Sequence, residues 1–238
     1  MEEANKVLTD TWTYLGNTDP YWSVLTNQTY SIKHSPLPDS AKQEFFESGF
    51  HDVEYMQRKL VQHGESFRNC TVLDFGCGVG RLTKSVISKG ATTVFGFDIS
   101  EPHLQIAREQ ARGAIYEQII GPSHLIETIQ STVGRVDITY SLIVLQHNRP
   151  PLMCEYIKAL LSITNRIALL HIPYYIPNYV PMRFPDKNAK VMEMHCIERR
   201  VVHDIAAKCG FVVAEEDESK DMCGGGIGNI VYVLKRVQ

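Results

Sequence analysis

The chain has 238 residues, a mass of 27.0 kDa and a formal net charge of −3 at pH 7. Its length suits one α/β domain with small additions, and its hydrophobic content of 44% is ordinary for a globular protein with a packed core. It has no apolar run near the roughly 20 residues that cross a bilayer and no dense Lys or Arg tract that would favour a nucleic-acid backbone. We therefore expect no membrane span and no nucleic-acid partner.

The cysteines and the N-terminus bear on metal binding and compartment. The six cysteines include no C-x-x-C pair, so the paired spacing of a zinc site is missing and we expect no bound metal. The opening Met-Glu-Glu-Ala-Asn-Lys lacks the basic-then-apolar pattern of a signal peptide. These features predict reduced thiols and a cytoplasmic location.

Residues 1–65 are predicted to form a helical extension before a main domain of residues 66–238. Asp19–Leu25 indicates a turn and a short helix, and 41–63 carries apolar residues at near-helical spacing. Ser40 or Asp39 is placed to cap that second helix. Two interpretations of Tyr21 and Trp22 stay open, a cover over a ligand site and ordinary core packing.

A glycine-rich turn follows the first predicted strand, 71–75, and opens a helix over 79–89. Glycines at 76, 78 and 80 allow a sharp turn and close approach of a ligand, at the strand end where open α/β sheets bind nucleotides. In the dinucleotide pattern G-x-G-x-x-G, the third glycine would fall at position 81, which is Arg81. A second strand, 92–97, leads to Asp98, where a carboxylate can accept both ribose hydroxyls.

The run Asp74-Phe-Gly-Cys-Gly-Val-Gly80, together with Asp98, resembles the first motifs of class I S-adenosylmethionine-dependent methyltransferases. The resemblance covers roughly 70–236. It implies an α/β, Rossmann-like three-layer sandwich whose seven-stranded, mostly parallel sheet ends in an antiparallel strand, with S-adenosylmethionine as cofactor. The third-strand region departs from the family, because Ser123 stands near the place of an adenine-binding acid. The implied cofactor contacts are Asp74, Gly76, Cys77, Gly78, Gly80, Arg81, Asp98, Ile99, Ser123 and Leu142.

The remaining pattern agrees with such a sheet. Strands predicted over 115–120, 135–142 and 166–172 alternate with helices over 101–112, 122–131 and 151–163, which indicates parallel pairing. A helix over 196–209 then ends at Gly210 as its C′ residue. The last two strands, 211–214 and 230–234, have no helix between them and are predicted to pair antiparallel.

Candidate catalytic and acceptor residues follow the later strands. His147 begins the loop after the fourth strand and is the candidate general base, because an unperturbed imidazole accepts a proton near pH 6.5. The alternative is a loop histidine that hydrogen-bonds the backbone. Residues 173–194 are predicted to form an acceptor lid, with contacts from Tyr174, Tyr175, Tyr179 and Arg183. The alternative for these aromatics is a homodimer surface.

Together these features predict a transferase that moves a methyl group from S-adenosylmethionine to a small or medium-sized acceptor. We expect the acceptor group to be a hydroxyl. Asp19–Leu25, together with the glycine loop, resembles bacterial methyltransferases of sugar or cell-surface polymer synthesis, which implies a sugar-related acceptor. Two alternatives remain. One is an NAD-dependent Rossmann oxidoreductase, and the other is a non-catalytic methyltransferase-like subunit that binds a partner.

Overall fold

The computed structural model describes residues 2–175, 192–218 and 227–237. Helices and strands alternate along most of this length, as the sequence predicts. The helices are α1 Glu2–Thr18, α2 Pro20–Val24, α3 Asp39–Gln62, α4 Arg81–Ser88, α5 Glu101–Gln110, α6 Pro122–Thr132, α7 Pro150–Ser162 and α8 Arg199–Lys208. The strands are β1 Thr71–Phe75, β2 Thr93–Asp98, β3 Ile115–Gln118, β4 Val136–Ser141, β5 Thr164–Tyr175, β6 Phe211–Asp217 and β7 Gly228–Arg236.

The strands form a seven-stranded sheet in the order β3-β2-β1-β4-β5-β7-β6, flanked by helices. β1, β2 and β3 pair in parallel, as do β4 and β5. β7 pairs antiparallel with both β5 and β6. This confirms the predicted Rossmann-like fold class with its antiparallel end. β5 and β7 are longer than predicted, because their antiparallel register runs from Ile167 opposite Lys235 to Tyr175 opposite Gly228.

The chain divides into two compact units, which we describe separately. The first unit, Glu2–Ile119, contains α1 to α5 and β1 to β3. The second unit consists of the described residues from Ile120 onward. The N-terminal helices thus share a unit with the first three strands, and the predicted domain boundary after residue 65 stays a prediction. Among the described residues, no helix is both long enough and apolar enough to cross a membrane.

Aromatic side chains pack α2 and α3 together in the first unit. Phe45 is fully buried and meets the rings of Tyr21, Tyr30 and Phe46 edge-on, with centroids 5.2–5.3 Å apart. Val79 of the glycine loop joins this cluster. Edge-to-face contacts of this kind add about 0.5–1.5 kcal/mol each beyond burial. Tyr21 therefore packs in the core, which was one of its two open interpretations.

The predicted cap of α3 was wrong. The helix begins at Asp39, so Pro38 occupies the N-cap position and no side chain there makes a capping hydrogen bond. A proline has no side-chain oxygen to offer the first amides. Asp39 instead lies in the first turn, where its negative charge is favourable near the helix N-terminus.

Buried side chains and one arginine hold the second unit together. Tyr140 of β4 and Tyr232 of β7 are fully buried, as are the aliphatic side chains of β5. The Arg236 guanidinium donates to the carbonyls of Leu161 and Thr164 and stacks on the Phe211 ring at 4.5 Å. Gly210 follows the C-cap of α8 with a φ of 76°, which confirms the predicted helix end.

Gly16 allows α1 to approach the start of α5 closely. A Cβ at this position would lie 2.7 Å from Ser100 Oγ and 2.8 Å from His103 Nδ1. We expect Gly16→Ala to lower the free energy of unfolding by about 1–3 kcal/mol, since overpacking outweighs the better helix propensity of alanine. Urea denaturation measures this.

The matched control is Asn17→Ala in the same turn, where the side chain is exposed and donates only to the Thr13 carbonyl. Its unfolding free energy should stay within about 0.5 kcal/mol of the parent. A Gly16→Ala protein as stable as the parent would show that α1 does not need this close approach.

Candidate functional site

Asp74 braces the beginning of the glycine loop. It is the fourth residue of β1 and only 2% exposed, and its Oδ2 accepts a hydrogen bond from Thr83 Oγ1 at 2.6 Å. Thr83 lies in the first turn of α4, so this bond joins the strand to the helix on the far side of the loop. A buried carboxylate bond to a hydroxyl contributes about 1.5–3 kcal/mol. Asp74 therefore stabilises the loop by connecting the strand before it to the helix after it.

The loop backbone has a conformation that only glycine adopts readily. Gly76, Gly78 and Gly80 have φ values of 79°, 54° and 81°. A Cβ at Gly78 would lie 2.8 Å from Val24 Cγ2, and one at Gly80 would lie 2.9 Å from Ala111 Cβ. The three glycines thus form a tight cradle closed over by α2 and α5.

The end of β2 holds the loop in place. The amides of Gly76 and Cys77 both donate to the Phe97 carbonyl, at 2.7 and 3.1 Å. The next residue, Asp98, accepts from the Gly78 amide at Oδ2 and from the Ser100 amide at Oδ1, both at 2.9 Å. Hydrogen bonds from the end of β2 therefore hold the loop.

The half-buried Asp98 carboxylate can accept further hydrogen bonds from a ligand. Each of its oxygens accepts one backbone amide, and a carboxylate oxygen has two lone pairs. Two further donors can bind without displacing either amide. A vicinal pair of ribose hydroxyls fits this requirement.

Gln118 supports the same turn and was missed from the sequence. Its Nε2 donates to the Ile99 carbonyl at 2.9 Å, while the Ile119 amide donates to the Asp98 carbonyl at 2.9 Å. Gln118 lies opposite Asp98 in the β2–β3 register. A polar residue at the end of the third strand, next to the second-strand acid, was the signal that could have identified it.

Cys77 and Arg81 have structural roles in the first unit. Burial, followed by the charges of Asp74 and Asp98, raises the pKa of the Cys77 thiol well above its usual value, so it stays protonated. Arg81 is buried, with Nη1 2.8 Å from Asp52 Oδ2 and 3.1 Å from Ser48 Oγ. These bonds fasten α4 to α3. Direct contacts of either residue with a cofactor stay predictions.

The second unit contains the other predicted contact residues. Leu142 is buried just after β4, and the next residue, Ile143, has a φ of 61° that is unusual for a β-branched side chain. Ser123 lies in the first turn of α6 and lines a cavity of about 460 Å³ among α6, α7 and α8. The cofactor contacts of Ser123 and Leu142 stay predictions.

His147 is bound to backbone in the structure. It ends the short 3₁₀ helix Leu145–His147, and its Nδ1 is 2.9 Å from the Glu193 carbonyl oxygen. Burial lowers the pKa of His147 to about 4, an effect that the neighbouring His195 adds to and the carbonyls of Glu193 and Ile143 partly offset. The ring is therefore neutral at pH 7. This geometry is that of the loop histidine considered above, and the catalytic role stays a prediction.

Glu193 joins the predicted lid region to the His147 turn. Its carboxylate is 3.2 Å from both Arg149 Nε and Nη2 and 3.0 Å from His195 Nε2. The His195 amide donates to the Gln146 carbonyl at 2.7 Å. Hydrogen bonds from Arg149 lead the effects that lower the pKa of Glu193. Residues 192–195, which overlap the end of the predicted lid, thus bind to the loop after β4.

The predicted acceptor residues are only partly described. Tyr174 Oη donates to Glu218 Oε2 at 2.8 Å, and its ring lies 4.0 Å from the Arg199 guanidinium. The Tyr175 side chain is 56% exposed. Tyr179 and Arg183, with most of the predicted lid, lie outside the described residues. Contact of these residues with an acceptor stays a prediction.

The low pKa of His147 predicts a pH dependence of stability. The folded-state pKa of about 4 lies below the unfolded value near 6.5, so the unfolded chain binds the extra proton between these limits. The stabilising contribution is complete above about pH 6.5 and is lost as the pH falls toward 4. Urea denaturation at a series of pH values measures how steeply the free energy of unfolding falls with falling pH. We expect this slope to be smaller in His147→Asn by up to about 1.4 kcal/mol per pH unit. An unchanged slope would contradict the buried, neutral state of the ring.

Comparisons with known proteins agree with this geometry. Residues 72–165, which include the glycine loop and Asp98, match the family described as a methyltransferase domain. This match and the described fold support a class I, S-adenosylmethionine-dependent methyltransferase domain over residues 72–165.

Relatives and solved structures agree with the methyltransferase domain. The chain is 29% identical over 105 residues to a ubiquinone biosynthesis O-methyltransferase of Pseudomonas paraeruginosa, covering 42% of this chain and 43% of that protein. A protein with the same description from Neisseria meningitidis is 36% identical over 61 residues, 26% of each chain. The chain thus spans less than half the length of these curated relatives.

Two solved structures share the fold of the methyltransferase domain. Magnesium protoporphyrin IX methyltransferase from Synechocystis, with bound S-adenosylhomocysteine, has a TM-score of 0.67 at 18% identity, covering 98% of this chain and all of that one. The Burkholderia thailandensis 1,6-didemethyltoxoflavin-N1-methyltransferase has a TM-score of 0.54 at 14% identity, covering 81% of this chain and 86% of that one. At these identities the likeness concerns the fold.

Proposed function

We propose that this protein transfers a methyl group from S-adenosylmethionine to a small-molecule acceptor. The observation that carries the proposal is the Asp98 carboxylate, which organises the Gly78 and Ser100 amides and keeps capacity for two more donors. The family match over residues 72–165 supports it. So do the solved relatives of this fold that contain S-adenosylmethionine or S-adenosylhomocysteine.

In this proposal the residues of the first unit bind and orient the donor. S-adenosylmethionine, when bound, supplies a methyl group already activated by the sulfonium charge. Asp98 accepts the ribose hydroxyls, and the Gly76–Gly80 cradle admits the rest of the molecule close to the backbone. Because Asp74, Phe97 and Asp98 already fix the loop, little reorganisation accompanies binding. Alignment of donor and acceptor can lower the barrier by about 7–11 kcal/mol.

We further propose that the acceptor is an oxygen nucleophile that loses its proton readily, such as a phenol or an enol. The curated relatives are O-methyltransferases of ubiquinone biosynthesis, which favours oxygen. His147 is the candidate base, and its pKa of about 4 makes it a weak one. A weak base cannot deprotonate an ordinary alcohol efficiently. This argument favours a phenolic hydroxyl over the sugar hydroxyl that the sequence suggested.

Calorimetry with S-adenosylhomocysteine and with NAD, followed by a methyl-release screen, tests the proposal. We expect the protein to bind S-adenosylhomocysteine and not NAD, and to methylate phenols in preference to sugars and amines. Selective binding of NAD would support the oxidoreductase alternative and overturn the assignment. Binding without methyl release across all acceptor classes would favour the non-catalytic subunit.

A further inference from the structure

A buried histidine in the first unit lies between two serines, and the backbone amide of one of them, Ser100, binds Asp98. His103 of α5 is 1% exposed, with Nδ1 2.7 Å from Ser100 Oγ and Nε2 2.8 Å from Ser23 Oγ. Both serines are themselves buried. A polar ring in such a place costs free energy unless it is hydrogen-bonded, so the two serine contacts determine the position of the ring.

Each serine connects His103 to an N-terminal helix. Ser100 Oγ donates to the Trp12 carbonyl of α1 at 2.9 Å, and Ser23 Oγ donates to the Pro20 carbonyl of α2 at 2.9 Å. Gly16 lets α1 come near enough for the first of these bonds. His103 is therefore a polar link between the N-terminal helices and the start of α5.

This link closes a ring of contacts around the proposed ribose site. In one direction, the Ser100 amide donates to Asp98 Oδ1 and the Gly78 amide to Asp98 Oδ2. In the other direction, Ser23 is followed by Val24, whose Cγ2 lies against the Gly78 backbone. Both paths from His103 thus reach Gly78. Displacement of His103 would release the Ser100 amide and Val24 together.

The hydrogen-bonding groups around His103 have fewer protons than contacts. The two serine hydroxyls and a neutral imidazole supply three protons for four contacts: Ser100 with Trp12 and His103, and Ser23 with Pro20 and His103. Burial lowers the pKa of His103, in agreement with a neutral ring. A glutamine side chain offers the same pairing of one donor side and one acceptor side, whereas leucine offers neither.

We propose that His103 is a positioning residue for the cofactor: through Ser100 and Ser23 it holds Asp98 and Val24 in the arrangement that receives the ribose. This inference rests on the proposed function. It predicts that loss of the link weakens ligand binding in addition to any effect on folding, because the Asp98 oxygens must be aligned to accept the ribose hydroxyls.

Ser23→Ala, His103→Leu and His103→Gln test the link. For each purified variant, calorimetry measures the Kd for S-adenosylhomocysteine, and hydrogen exchange measures protection of the amides of 12–24 and 98–100. We expect Ser23→Ala and His103→Leu to weaken binding about five- to twentyfold and to lose ligand-induced protection in both segments. His103→Gln should recover most of the affinity. Ser23→Ala keeps the test available if His103→Leu does not fold.

Thr139→Val is the matched control. It removes a buried hydroxyl pair, Thr139 Oγ1 to Thr164 Oγ1 at 2.6 Å, in the second unit. We expect it to lower the melting temperature while leaving the Kd within twofold of the parent. The inference is overturned if Ser23→Ala and His103→Leu bind like the parent, or if Thr139→Val loses as much affinity. A parent protein that does not bind S-adenosylhomocysteine would instead refute the proposed function.

Discussion

Replacing Asp98 with alanine should weaken the binding of S-adenosylhomocysteine at least tenfold, the largest effect we expect from any single polar side chain. The variant loses two proposed bonds to ribose hydroxyls, each of the charged kind that contributes about 1.5–3 kcal/mol. It also leaves the Gly78 and Ser100 amides without their acceptor. Calorimetry measures the affinity, and urea denaturation measures the accompanying loss of stability.

Two comparisons isolate the role of this carboxylate. Glu117→Ala removes an exposed acid on the neighbouring strand β3 and should leave the affinity unchanged. Asp98→Asn keeps a carbonyl oxygen of similar shape and should bind better than Asp98→Ala. An Asp98→Ala protein that is folded and binds like the parent would remove Asp98 from the ligand site.

Gly78→Ala should reduce affinity by more than tenfold through two separate effects. The left-handed backbone at φ 54° costs a non-glycine residue about 1–2 kcal/mol. The added methyl group would also lie 2.8 Å from Val24 Cγ2, so either α2 or the loop must move. Because the Gly78 amide binds Asp98, a shifted loop disturbs the carboxylate too.

The double variant Gly78→Ala, Val24→Ala separates these effects. Shortening Val24 relieves the collision and leaves the backbone strain, so affinity should recover in part. Val24→Ala alone should change the Kd less than Gly78→Ala does. Full recovery in the double variant would show that the backbone conformation is unimportant. No recovery at all would show that Val24 does not press on the loop.

Local pattern was sufficient to predict most of the fold. The glycine loop, the acid at the end of β2 and the alternation of strands and helices are short-range features. Antiparallel pairing of the last strands was predicted because the sequence shows no helical pattern between them, and the pairing is confirmed. The predicted cap of α3 was wrong because adjacent start positions differ little in energy, and the helix begins at Asp39 with Pro38 as its N-cap.

Contacts between distant residues could not be predicted in the same way. Ser23 and His103 are 80 positions apart, and Arg81 meets Ser48 across 33 positions. A sequence gives each of these residues several possible partners, and only the packing of α2, α3, α4 and α5 selects among them. His147 shows the same limit, because its pKa depends on burial and on the Glu193 carbonyl 46 positions away.

The contact between Val24 and Gly78 has a consequence for engineering this protein. If the N-terminal helices were truncated past α2, or exchanged for those of a homologue, the proposed nucleotide site would lose the Val24 contact on one side while every motif residue remained intact. Grafts intended to alter the acceptor should therefore carry the first two dozen positions unchanged. We expect a chimera that replaced them to keep the motif residues and to bind S-adenosylmethionine more weakly.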